Sequence, residues 1–78
     1  MELEEFLYLV LKKLAADRTP YVPVRYFKAI PNHGDFIKTS HRLGLLFWYK
    51  KGEAIGLTDD GKKLALGYAK KISEQTRG

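Results

Sequence analysis

The sequence of 78 residues contains no cysteine, one asparagine, one glutamine and no methionine after the first residue. The absence of cysteine excludes disulfide bonds, thiolate nucleophiles and zinc sites with cysteine ligands. No apolar run approaches the roughly 18 residues of a membrane-spanning helix, and the N-terminal MELEE is acidic where a signal peptide is basic. We therefore expect one intracellular, cytoplasmic domain with no membrane association. The scarcity of heat-labile residues beside 29% charged residues is typical of thermophilic proteins.

Positive charge is concentrated in the middle of the chain. The formal net charge is +5, but residues 1–17 carry −2, residues 53–78 carry +1 and residues 18–52 carry +6. The middle segment holds Asp35 as its one acidic residue, against Arg18, Arg25, Lys28, Lys38, Arg42, Lys50 and Lys51. A positive block of this density favours a polyanion over a small metabolite as partner. Plain solubility is the alternative explanation.

Hydrophobic spacing predicts four helices. They are expected at about residues 2–17, 23–30, 35–43 and 59–74. Pro23 suits the first position of the second helix, where its missing N–H costs nothing. Asp35 and Thr58 are the expected N-caps of the third and fourth helices, and Gly44 closes the third.

Two of these helices have faces that bear on function. In the third helix, the residues expected to face inward are Phe36, Ile37, Ser40 and Leu43, and the opposite face shows Lys38, Thr39, His41 and Arg42. The first helix is apolar on more than one side. Its surplus face, around Tyr8, Leu11 and Ala15, either packs against neighbours within the chain or meets a second copy.

Residues 45–57 are predicted to form a β-hairpin. With a turn at Lys51-Gly52, one apolar face holds the pairs Leu46–Leu57 and Trp48–Ile55, and Lys50 and Glu53 form an ion pair at the tip. Lysine is unfavourable at positive φ, so a longer loop is the alternative.

The other face of the hairpin carries two aromatic residues. Phe47 and Tyr49 lie there, opposite Gly56 and Ala54. Three roles are open to them: stacking on unpaired bases, a dimer contact, or packing under the last helix. Packing or a protein contact is the favoured interpretation.

The predicted order of elements resembles the winged helix-turn-helix domain over nearly the whole chain. The segment LTDDGKKLA (57–65) is similar to the leucine-threonine-x-x-glycine-x-x-leucine stretch that follows the wing in MarR-like and many archaeal regulators. The segment LGLL (43–46) is similar to the exit from the recognition helix, although it is more compact. In this sequence Thr58 suits a helix cap, and Gly61 lets the last helix pack closely on the hairpin.

The resemblance implies an α+β fold with a three-helix core, a two-stranded hairpin wing and a C-terminal helix, and it implies binding of double-stranded DNA. In such domains the third helix enters the major groove and the wing contacts the backbone or the minor groove. Carried over to this chain, the DNA-binding residues are Arg25, Lys28, Lys38, Thr39, His41, Arg42, Lys50 and Lys51. Arg42 would read guanine, and Lys38 and Thr39 would hold phosphates. Asp35 departs from this pattern, since phosphate repels it unless it caps the helix or accepts from a cytosine amino group.

No chemistry beyond binding is indicated. His33 and His41, with Asp35 nearby, do not supply the three or four ligands that a zinc site needs. Ser40 and His41 are neighbours whose side chains diverge on a helix, and the glycines match neither a phosphate-binding loop nor a dinucleotide motif. We therefore expect no catalytic residue, metal, cofactor or small-molecule ligand.

The resulting hypothesis is a nucleoid-associated homodimer that regulates transcription, of archaeal or archaeal-virus type. It would dimerise through the first helix and possibly the last one. The alternatives are a winged-helix module that binds another protein within a larger assembly, and an architectural or single-stranded nucleic-acid binder.

Overall fold

Three α-helices and three short β-strands account for most of residues 1–76, which the computed structural model describes. The helices are α1 (Leu3–Asp17), α2 (His33–Arg42) and α3 (Asp59–Thr76). The strands are β1 (Val22–Pro23), β2 (Leu46–Lys50) and β3 (Ala54–Leu57), and a 3₁₀ turn at Val24–Phe27 follows β1. The strands form one antiparallel sheet in the order β1-β3-β2, which gives the α+β class that was expected.

The core is centred on Phe6 of α1. Its ring packs edge-on against Phe27 of the 3₁₀ turn, with 5.4 Å between centroids, and stacks on Phe36 of α2 at 5.3 Å. The sheet closes this core with Val22, Leu46, Ile55 and Leu57, all of them buried. Each fully buried side chain of this size contributes about 1.5–3 kcal/mol to folding. Phe6 therefore joins α1 to the 3₁₀ turn and to α2.

The prediction of a second helix at residues 23–30 is wrong. Only the 3₁₀ turn is present, and it continues as successive i→i+3 turns in which Lys28, Ile30 and His33 donate backbone N–H groups three residues back. Seven residues between Pro23 and Pro31 are too few to offset the cost of helix nucleation. The start of the segment is also drawn into the sheet, because Val24 N–H donates to the Glu53 carbonyl at 2.8 Å.

Helix α2 begins two residues earlier than predicted, and Asp35 is not its cap. The N-cap position is Asn32, which has a φ of 63° and makes no side-chain capping bond. Asp35 lies in the first turn of the helix instead. At the other end Leu43 does not face inward as expected, since it is 57% exposed. The helix ends at Arg42, so Leu43 no longer follows the helical stripe, and Gly44 reverses the chain with a φ of 73°.

Residues 18–22 were expected as a short extended connection, and strand β1 at its end was not predicted as a strand. Its two residues pair with the far end of the chain, Val22 with Ile55 and Pro23 with Ala54. A two-residue strand carries no periodicity, and proline is tolerated because β1 is an edge strand. The pairing makes β3 the central strand, with neighbours on both sides.

The β2–β3 hairpin keeps the predicted register for Leu46–Leu57, Phe47–Gly56 and Trp48–Ile55. Beyond Trp48 a β-bulge inserts one residue, and Lys50 rather than Tyr49 pairs with Ala54. Paired residues share a face of the sheet, so Lys50 lies on the side opposite to that of Trp48.

The turn of the hairpin is centred on Lys51-Gly52, as predicted. Glu53 N–H donates to the Lys50 carbonyl at 2.9 Å, and within the turn only Gly52 has a positive φ, 79°. This is the pattern of a type II turn, in which only the third residue needs a positive φ. Lys51 thus avoids a positive φ, which was the reason for considering a longer loop.

A junction between α2 and α3 fixes the remaining geometry. The Thr58 hydroxyl donates to the Gly44 carbonyl at 2.7 Å and accepts from Gly61 N–H at 3.1 Å, so Thr58 caps α3 as predicted. Thr58 N–H donates to the Leu45 carbonyl at 3.1 Å. A Cβ atom at Gly61 would collide with that same carbonyl oxygen. The two motifs that carry the resemblance, 43–46 and 57–65, are therefore in direct contact.

Gly61→Ala is expected to lower the free energy of unfolding by about 2–3 kcal/mol, because the added methyl group meets backbone that cannot rotate away. Urea denaturation followed by circular dichroism measures the effect. Gly67→Ala is the control in the same helix, where a Cβ has nothing within 4 Å, and it should stabilise the chain by about 0.5–1 kcal/mol. Equal effects of the two substitutions would contradict the close approach at Gly61.

Candidate nucleic-acid interface

Helix α2 has one face in the core and one in solvent. Ile37 and Ser40 are buried and Phe36 is half-buried. On the outer side Lys38, Thr39 and Arg42 line one shallow depression together with Asp35. These four residues follow the i, i+3, i+4, i+7 spacing of one helix face, and we call them the α2 patch. Three of the predicted DNA-binding residues are thus brought together.

The α2 patch combines positive charge with one carboxylate. Lys38 and Arg42 are exposed, and Asp35 precedes Lys38 by three residues on the same face. An exposed pair at this spacing is worth only about 0.2–0.5 kcal/mol, so it leaves the lysine free to bind another anion. Because Asp35 does not cap the helix, its carboxylate is available to accept hydrogen bonds from a ligand.

His41 does not belong to the α2 patch, although it was predicted with it. Its ring lies beside that of Trp48 on β2, with 6.4 Å between centroids and an interplanar angle of 55°. His41 is still exposed. It therefore marks the boundary between α2 and the hairpin.

The other predicted basic residues surround the tip of the hairpin. Arg25 and Lys28, placed by the 3₁₀ turn and the turn after it, line a groove with Lys50. Lys51 is exposed in the hairpin turn. Lys50 also approaches Glu53 at 3.9 Å, but both side chains are 72% exposed, so this predicted ion pair contributes little.

Two tyrosines form a wall of the same groove. Tyr21 and Tyr49 stack with their centroids 3.9 Å apart and their planes 5° from parallel. We call this groove, lined by Tyr21, Pro23, Arg25, Lys28, Tyr49 and Lys50 among others, the tyrosine groove. The partner Tyr21 was missed by sequence reasoning, because its position beside Tyr49 follows from the unpredicted pairing of β1 with β3.

Phe47 and Tyr49 both pack within the chain, but Tyr49 packs on Tyr21 rather than under the last helix. The Phe47 ring lies against Gly56, where an added Cβ would be 2.5 Å from Phe47 Cζ and 2.5 Å from the Pro20 carbonyl oxygen. Tyr49 is covered on one side by Tyr21. Their remaining exposure, 39% for Phe47 and 55% for Tyr49, leaves room for a further contact.

Helix α1 is covered in part by α3. The rings of Tyr8 and Tyr68 lie 5.6 Å apart, and the Tyr68 hydroxyl donates to the Glu5 carboxylate at 3.2 Å. Partial removal from water, together with this hydrogen bond, raises the pKa of the Tyr68 hydroxyl above its usual 10.0. Part of the surplus face of α1, around Tyr8 and Leu11, thus packs against the protein's own residues.

The described residues contain neither a cluster of metal ligands nor a membrane-spanning helix. Within residues 1–76, no three histidine, aspartate or glutamate side chains lie close enough together to hold a metal ion. In the same part of the chain, none of the helices is both long and apolar enough to cross a bilayer.

Comparison of the chain with models of protein families, with curated proteins and with solved structures found no match.

Ser40, on the inner side of α2, is fully buried, and its hydroxyl has no hydrogen-bond partner in the described part of the chain. A buried hydroxyl without a partner costs about 1–3 kcal/mol. Ser40→Ala should therefore raise the free energy of unfolding by about 1 kcal/mol. Alanine also has a higher helix propensity than serine. Ser73→Ala, at an exposed site in α3, is the control that measures this contribution alone. In urea denaturation, a smaller gain for Ser40→Ala than for Ser73→Ala would mean that the hydroxyl is satisfied.

Proposed function

We propose that this chain is a winged helix-turn-helix domain that binds double-stranded DNA in a sequence-specific manner. The observation that carries the proposal is the α2 patch, which places the exposed cations Lys38 and Arg42 beside the partly exposed Thr39 on the outer face of a helix whose inner face packs in the core. Such a helix has a fixed rotation about its axis. It can therefore present Lys38, Thr39 and Arg42 to the major groove without rearrangement.

The order of elements supports this assignment. Helix α1, edge strand β1, α2, the β2–β3 hairpin and α3 follow one another as in winged-helix domains, with the 3₁₀ turn in the place of the second helix and the hairpin in the place of the wing. The contact between segments 43–46 and 57–65 supports it further. In this arrangement α2 is the recognition helix.

Roles within the proposed interface follow from side-chain chemistry. The Arg42 guanidinium matches the O6 and N7 atoms of guanine, and Lys38 and Thr39 suit phosphate oxygens. Asp35 suits the amino group of cytosine, since its carboxylate can only accept hydrogen bonds at neutral pH. Arg25, Lys28, Lys50 and Lys51 would neutralise phosphates beside the wing. His41 is left at the edge, next to Trp48.

The proposal includes a homodimer that acts as a small transcriptional regulator of archaeal or archaeal-virus type. A dimer would place two α2 helices about 34 Å apart on successive major grooves of a pseudo-palindromic site. Leu66, which is 58% exposed on α3, is the large apolar side chain on that helix most accessible to a second copy. The proposal needs no metal, cofactor or catalytic residue.

Selection of bound duplexes from a random pool tests sequence specificity, and we expect a symmetric motif to be enriched. With that duplex as probe, Lys38→Ala combined with Arg42→Ala should weaken binding by about 2–4 kcal/mol for each protomer of the dimer, because each protomer loses one base contact and one phosphate contact. Fluorescence anisotropy measures the dissociation constants.

The control for this double variant removes the same charge elsewhere. Lys70→Ala combined with Lys71→Ala alters two exposed cations of α3 and should change the affinity much less. Equal losses for the two double variants would show that binding depends on net charge, and the assignment of α2 as recognition helix would then fail.

The salt dependence of duplex binding gives an independent count of phosphate contacts. If each protomer neutralises three or four phosphates, log K should fall against log salt concentration with a slope of roughly −5 to −7. The slope is measured by anisotropy titrations across a series of potassium chloride concentrations. An affinity that does not change with salt would contradict the proposed phosphate contacts.

A further inference from the structure

The tyrosine groove is separate from the α2 patch and combines two kinds of group. Its aromatic part is the parallel pair of Tyr21 and Tyr49, whose centroids are 3.9 Å apart. Each ring covers one face of the other, and both residues remain partly exposed, 36% for Tyr21 and 55% for Tyr49. A third flat ring can extend this stack from the solvent side.

The cationic part of the groove lies within reach of the same surface. Arg25, Lys28 and Lys50 line it, and Glu53 is the acidic residue among its lining. The Lys50–Glu53 pair is long at 3.9 Å and highly exposed, so Lys50 can exchange this partner for another anion at little cost. The groove therefore has a net charge of +2 beside an aromatic platform.

The β-bulge is what brings the two parts together. In a regular strand Tyr49 and Lys50 would point to opposite faces. The bulge lets both line one groove, on the face of the sheet away from the core. The chain thus places an aromatic ring and a cation in the lining of one groove.

We propose that the tyrosine groove binds a segment of single-stranded nucleic acid. One unpaired base stacks on the tyrosine pair, and the phosphates next to it lie against Arg25, Lys28 and Lys50. A base within a duplex cannot reach the platform, because its faces are covered by its neighbours. This site does not rest on the α2 patch, although its three cations are also those proposed to contact duplex phosphates beside the wing.

The first test uses the unmodified protein and two ligands with the same phosphates. Fluorescence anisotropy at low salt compares an oligothymidine of about 12 nucleotides with an abasic strand of equal length. Stacking predicts that the oligothymidine binds about fivefold tighter or more. Equal affinities would overturn the proposal, since they would show attraction by charge alone. An oligouridine of the same length then shows whether RNA or DNA is preferred.

The second test uses matched substitutions at Tyr49. Tyr49→Leu keeps an apolar side chain but removes the ring, and it should abolish the preference for the oligothymidine over the abasic strand. Tyr49→Phe keeps the ring and should retain the preference. Circular dichroism shows whether each variant is folded. If Tyr49→Leu does not fold, the comparison of the oligothymidine with the abasic strand on the unmodified protein remains the test of the proposal. A preference that survives in folded Tyr49→Leu would overturn the proposal.

The double variant of the α2 patch separates this site from the proposed duplex interface. Lys38→Ala combined with Arg42→Ala should leave the affinity for the oligothymidine unchanged. A loss of single-strand binding in that variant, equal to its loss of duplex binding, would mean that one surface binds both ligands and would overturn a separate groove.

Discussion

The hydroxyl of Thr58 joins the end of α2 to the first turn of α3 at the base of the hairpin. It donates to the carbonyl of Gly44, just past α2, and accepts from the N–H of Gly61, in the first turn of α3. Strands β2 and β3 leave from the same point, and the Leu45 carbonyl accepts from Thr58 N–H there. The directions of α2, the hairpin and α3 are thus set at one place. The outward position of the α2 patch depends on it, because any rotation of α2 would exchange Lys38 and Arg42 for the residues of its buried side.

The sequence predicted those parts of the fold that depend on local chemistry. The first and last helices lie within two residues of their predicted bounds, because their apolar stripes are long. The cap at Thr58 and the close packing at Gly61 follow from a threonine followed by a helical glycine. Strand β1 depends on a contact across more than thirty residues of chain, and two residues show no pattern that reveals it. The 3₁₀ turn also depends on a distant contact. The backbone hydrogen bond from Val24 to Glu53 of the hairpin competes with helix formation in this segment.

The basic residues were identified from the sequence, but their grouping was not. Helical spacing places Lys38, Thr39 and Arg42 on one face and separates His41 from them, once the helix is known to be regular. Arg25 and Lys28 were expected beside that face. They line the groove at the hairpin tip instead, because the segment that carries them is a chain of tight turns directed by β1. The positive charge of residues 18–52 is therefore divided between two surfaces of different character, one helical and polar, the other aromatic.

The extra residue in β2 determines how the hairpin would respond to substitution or deletion of residues near its tip. In a strand without a bulge, the side chains of neighbouring residues point to opposite faces of the sheet, one towards the interior layer and one towards the outer layer. The bulge shifts that alternation by one step after Trp48, so the ammonium group of Lys50 belongs to the outer layer. A replacement at position 50 alters only the chemistry of that layer. Loss of Tyr49, the extra residue, would restore the alternation and leave Lys50 opposite Ala54 in the outer layer. A deletion at the bulge would therefore keep the position of the charge and remove the ring that stacks on Tyr21.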